Sequence, residues 1–196
     1  MEMSPLLLLG LGIGFASVAG VRAFIPLAVA ALAFQLGLFA APSPYGFTTS
    51  EGWTGFGVFA GLAVVEIFLD KIRAMEPAFG WIMVPVRAAS GAILLTWAIR
   101  SDLDLGSLPW LVAGAVIAGA VAVLKVVLRP RTETGSVGVS TAFLSVFEDV
   151  VALVGAVIAV FIPLVPLIFV AFLLFFFYRI KRRRGRKYGG LRILGD

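Results

Sequence analysis

Between Pro5 and Ala41 the only charged residue is Arg22, and between Thr141 and Tyr178 the only charged residues are Glu148 and Asp149. No soluble domain of this size buries two such stretches. In a bilayer each must satisfy its backbone internally, which leaves helices or a closed barrel. A spanning helix needs about 20 apolar residues, with a range of roughly 17–25. As one helix, Pro5 to Ala41 would run over about 50 Å, so it must divide.

The break signals are local. Gly20-Val21-Arg22 with Pro26 beyond divides the first stretch into spans at 5–20 and 23–40, and Ile162-Pro163-Leu164-Val165-Pro166 divides the last. The turn cluster Ala41 to Gly46 follows the second span. Trp53 to Asp70, Phe79 to Ile99 and Leu108 to Leu128 supply the spans between, the fourth with an interfacial piece before Pro85. The chain is 61% hydrophobic and 14% charged, against about 25% charge in an ordinary soluble domain. The fold class expected is therefore all-α, a polytopic membrane helix bundle of about seven spans. Residues 1–178 form the transmembrane domain and 179–196 a basic cytoplasmic tail.

Cytoplasmic loops carry the Lys/Arg excess, which puts the tail Arg179 to Lys187 inside. Alternation then gathers Arg22, Lys71, Arg73, Arg87, Lys125, Arg129 and Arg131 at cytoplasmic ends, leaving Arg100 outside. The N-terminus falls outside. Leu6 to Leu9 with Ala16-Ser17-Val18-Ala19 looks like a signal peptide, but Met1-Glu2-Met3 lacks the basic start one needs, so the segment is expected to be retained. Gly20-Val21-Arg22-Ala23-Phe24 and Gly138-Val139-Ser140-Thr141-Ala142-Phe143 share a weak pattern, consistent with two three-span repeats joined by the fourth span. Gly10/Gly14 and Gly57/Gly61 have the spacing for close helix contact. Trp53, Trp81, Trp97, Trp110, Tyr45 and Tyr178 fall near expected interfaces.

Intramembrane acids are costly and mark function by default. Glu148, about 12 Å into the sixth helix, lies near mid-depth, and Asp149 points about 100° away from it. Thr141 and Ser145 form a polar stripe with Asp149. Glu66 and Asp70 share one face of the third span. Arg22 and Arg87, unfavourable beside helix N-termini, should seek acids. The candidate ion or substrate site is thus Glu148, Asp149, Glu66, Asp70, Arg22 and Arg87, and its alternative is a set of ion pairs that only lock the bundle. Arg129 and Arg131, with the Thr132 to Gly138 loop, are candidates for a phosphate or lipid headgroup.

The chain has neither cysteine nor histidine. That excludes disulfides, thiolate or imidazole metal sites and any Ser-His-Asp triad. Two acids could do acid-base work, but no nucleophile or metal site stands out, so an enzyme ranks last and no cofactor or metal is expected. The basic charge reports orientation rather than a nucleic-acid partner. The partners expected are the bilayer, anionic lipid at the tail and a second copy as homo-oligomer.

Gly20 to Leu27, Glu66 to Ile72, Pro85 to Ala92 and Ser145 to Ala152 together resemble a bacterial family of membrane proteins catalogued as a domain of unknown function, DUF 4126. The resemblance implies a bacterial cytoplasmic membrane and no assigned activity, and it singles out the same charged positions. The functional expectation is a small transporter or channel-like protein. Its rivals are a lipid-handling protein and a non-transporting scaffold.

Overall fold

A proline decides where the first apolar stretch divides. A helix running through residue 26 would set the Pro26 ring against the carbonyl of Arg22, four residues back. The chain instead stops at Val21 and starts again at Phe24, with Pro26 in the first turn of the new helix, where a missing N–H costs little. The structure, a computed structural model, describes residues 5–38, 49–71, 76–99, 105–129 and 141–189. Within them the chain is all-helical: α1 (Pro5–Val21), α2 (Phe24–Gln35), α3 (Thr49–Lys71), α4 (Glu76–Ile99), α5 (Leu108–Leu128), α6 (Thr141–Phe161) and α7 (Val165–Gly189).

Among the described residues, four stretches are long and apolar enough to cross a membrane: Gly52–Asp70, Phe79–Ile99, Leu108–Leu128 and Phe143–Phe161. Helices α1 and α2 have 17 and 12 residues and are shorter. The expected span at 23–40 is therefore cut short. Leu38 N–H donates to the Ala33 carbonyl at 3.0 Å and Gly37 N–H to the Phe34 carbonyl at 2.9 Å. Gly37 has φ +67°, and this paired closure with a left-handed glycine is a standard helix stop. Helix α4 is continuous from Glu76 with Pro85 inside it, so no separate interfacial piece precedes that proline. Helix α7 runs on through the basic residues to Gly189. The expected repeat cannot be followed, since Gly138 to Ser140 lie outside the described residues.

Helix α1 is the centre of the bundle. It packs against α4, α5, α6 and α7, whereas α2 packs mainly on α3 and α6, and the two pieces touch each other little. They part company at the break. Small residues let α1 come close to its neighbours: Gly10 and Gly14 lie under Pro163 of the α6–α7 turn, Gly12 under Leu95 and Gly20 under Val121. Helices α4 and α5 meet backbone to backbone at Gly91 and Gly114. A Cβ added at Gly57 or Gly61 would meet nothing within 4 Å, so of the two pairs the first serves internal packing among the described residues. Trp97 is likewise no belt residue. It is buried on the α1 side of α4, with its ring 6.5 Å from that of Phe15.

The surface inverts the pattern of a soluble protein. Phe68 is 66% exposed and Ile168 69%, while Arg22 and Arg87 are 0% exposed. Charges inside and apolar side chains outside are what a membrane solvent demands.

A side chain at Gly114 would meet the Gly91 carbonyl, with the Ala92 Cα at 2.8 Å. Gly114→Val should therefore destabilise the folded protein by about 1–3 kcal/mol, and Gly57→Val by much less. Thermal unfolding of the two purified variants in detergent checks this.

Candidate functional site

A broken helix leaves backbone donors and acceptors without partners, and inside a membrane each must be met. Glu66 of α3 meets the start of α2. Its Oε1 accepts from Ala23 N–H and its Oε2 from Phe24 N–H, both at 3.3 Å. Oε1 also accepts from Arg87 Nη2 at 3.3 Å. A carboxylate at a helix N-terminus faces the positive end of the dipole. The other side of the break mirrors this. Lys125 Nζ donates to the carbonyl of Val21, the last residue of α1, at 2.8 Å, placing a cation at the negative end. Ser90 Oγ donates to the Ala23 carbonyl at 2.6 Å.

Arg22 sits in the gap itself. Its Nη2 lies 2.9 Å from Asp70 Oδ2, 2.6 Å from Asp149 Oδ1 and 3.7 Å from Glu148 Oε2. Asp70 also accepts from Arg129 Nη1 at 3.0 and 3.2 Å and from Ser145 Oγ at 3.1 Å. Glu148 has Lys125 Nζ 2.7 Å from Oε2 and Arg129 Nε 3.3 Å from Oε1. Four cations (Arg22, Arg87, Lys125, Arg129) thus face four acids (Glu66, Asp70, Glu148, Asp149). Among the described residues no three acids gather to hold a metal ion; each carboxylate of the centre has a lysine or arginine beside it.

All six residues expected at an ion or substrate site, Glu148, Asp149, Glu66, Asp70, Arg22 and Arg87, come together here. Their pairing differs from the sequence expectation in three ways. Ser145 serves Asp70 across the helix gap. Arg129, expected at a headgroup phosphate, turns inward to Asp70 and Glu148. Its expected companion Arg131 lies outside the described residues, as does the 132–138 loop. Third, the centre is level with the last turns of α3 and α5, about three turns into α4 and two into α6, so it lies nearer one end of α3 and α5 than their middle.

Lys125 and Ser90 were not anticipated as site residues. Lys125 carried a signal: it is the one charge in Leu108–Leu128, and Val126, Val127 and Leu128 follow it before the helix ends. A lysine marking a cytoplasmic loop has no reason to precede another apolar turn. Ser90 had no signal beyond being a polar residue in an apolar helix. The tail also has a packing role, since Lys181 Nζ donates to the Val127 carbonyl at 2.7 Å.

The centre has hydrogen-bonding capacity left over. Nε and Nη1 of Arg22 and Nε and Nη1 of Arg87 are buried and have no hydrogen-bond partner among the described residues. Glu148 is held by the Lys125 ammonium and the Arg129 guanidinium. Buried polar atoms are nearly always satisfied in native proteins, and those that are not call for water, an ion or a functional reason.

The model of the family described as "Domain of unknown function (DUF4126)" matches residues 9–183. No curated protein and no solved structure matches the chain.

Removing one partner of a buried pair strands the other charge. Arg87→Met should cost about 3–5 kcal/mol of stability. The double variant Glu66→Gln, Arg87→Met should recover part of it, because no lone charge remains and an amide oxygen at position 66 would still accept from α2. Unfolding of both variants in detergent, compared with the wild type, measures the difference.

Proposed function

The chain belongs to the DUF4126 family, to which no activity is attached, and from the chain's own geometry we propose that it is a small membrane transporter whose translocation site is the polar centre at the α1–α2 break. The observation that carries this reading is the unspent hydrogen-bonding capacity of the Arg22 and Arg87 guanidinium groups in a fully buried position. A dry ion-pair lock gains nothing by leaving guanidinium N–H groups unmet. A site that takes water, an ion or a substrate needs them. Broken helices whose ends bind ions are the recurrent device of secondary transporters, and here both ends are already met by charged side chains. In this reading the positive-inside rule keeps the N-terminus outside and the Arg179 to Lys187 tail in the cytoplasm.

The balance of four cations against four acids favours a second reading, a scaffold whose centre only holds the bundle together. A lipid-headgroup role has less support, because Arg129 is engaged by Asp70 and Glu148.

Ion and proton flux in proteoliposomes under imposed pH and voltage gradients separates these readings. Flux above that of empty liposomes is expected for the wild type, falling about tenfold or more in a folded Glu148→Gln, Asp149→Asn double variant. A wild type no leakier than empty liposomes would overturn the transporter in favour of the scaffold.

A further inference from the structure

The ammonium of Lys125 occupies a position of unusual construction. It is buried on α5 and bonded to the last carbonyl of α1, with a Glu148 oxygen 2.7 Å away. In broken-helix transporters, half-helix C-terminal ends and unwound carbonyls coordinate the coupling cation, and here a carboxylate, Glu148, stands beside such an end. Glu148 Oε2 thus faces the ammonium, while its Oε1 lies 3.3 Å from Arg129 Nε.

Lysine suits such a place where arginine would not. Its head is a compact point charge with three donors on a flexible stem, whereas the guanidinium is a wide planar fork. Arg22 and Arg129 reach Asp70, and the lysine takes the position at the helix end.

We propose that Lys125 Nζ is the tethered occupant of a monovalent-cation site formed by the Val21 carbonyl and Glu148. The protein then needs no sodium or potassium ion to neutralise Glu148 and the end of α1. Removing the ammonium leaves the oxygen ligands and a space of its own size, which a free alkali cation fills. The consequence for transport, that flux is indifferent to sodium, rests on the transporter reading above. The site itself does not.

The test uses the purified full-length protein in detergent. Lys125→Ala and Lys125→Met are melted in sodium chloride and in N-methylglucamine chloride of equal ionic strength, beside the wild type. The wild type should melt at the same temperature in both salts. The variants should melt higher in sodium by roughly 2–4 °C for each kcal/mol of binding, and adding Glu148→Gln to either variant should abolish that gap. Variants that fold only in the sodium salt would support the site equally. Equal melting in both salts overturns it. So does failure of both variants to fold even in concentrated sodium chloride, because a site open to sodium would restore the missing charge. Melting requires no transport, so a protein without flux whose Lys125 variants respond to sodium keeps this site and loses the transporter, and the converse result does the reverse.

Discussion

A helix cannot simply stop inside a membrane. Its last carbonyls and the first amides of its successor must find partners without water. In this protein the partners are Glu66 at the start of α2 and Lys125 at the end of α1. The rest of the arrangement follows from those two bonds. Each brings a full charge into the bundle, and each charge then needs its own opposite, Arg87 for Glu66 and Glu148 for Lys125. Arg22, stranded in the gap by the proline beyond it, adds a third charge that Asp70 and Asp149 answer.

The network therefore draws on α3, α4, α5, α6 and the α1–α2 break at once. That explains why α1 lies at the centre with α4, α5, α6 and α7 around it: a break met from several sides must be surrounded. The close approach is allowed by glycines, Gly12 and Gly20 on α1 and the Gly91–Gly114 contact between α4 and α5. Buried ion pairs are weak arguments for stability, because desolvation offsets most of the attraction. A chain needing only rigidity could have filled this volume with apolar side chains. Eight charges retained at the break, with guanidinium nitrogens still unmet, carry a cost that a ligand or water path would justify.

The individual residues differ in how well they could be read. Glu66, Asp70, Glu148 and Asp149 stood out because an acid in a long apolar stretch has few uses, and Arg22 because it interrupts one. Lys125 was harder, since a basic residue near a helix end is also what membrane topology produces, and the two uses leave the same letter in nearly the same place. Arg129 was legible as a charge but not as a direction. Only packing shows that it turns back into the bundle. Trp97 failed for the same reason: belt tryptophans and core tryptophans share a sequence position, and the face of α4 that meets α1 separates them.

By itself the sequence determined that the chain is helical, that it belongs in a membrane, where the first and last apolar stretches divide, and which charges are too costly to be incidental. These are consequences of length, hydropathy and proline chemistry, which act along the chain. The pairing of the charges, the inward turn of Arg129 and the central position of α1 were decided only by tertiary structure. Partners such as Arg22 and Ser145, or Lys125 and Val21, lie more than a hundred residues apart, and only helix packing brings them together.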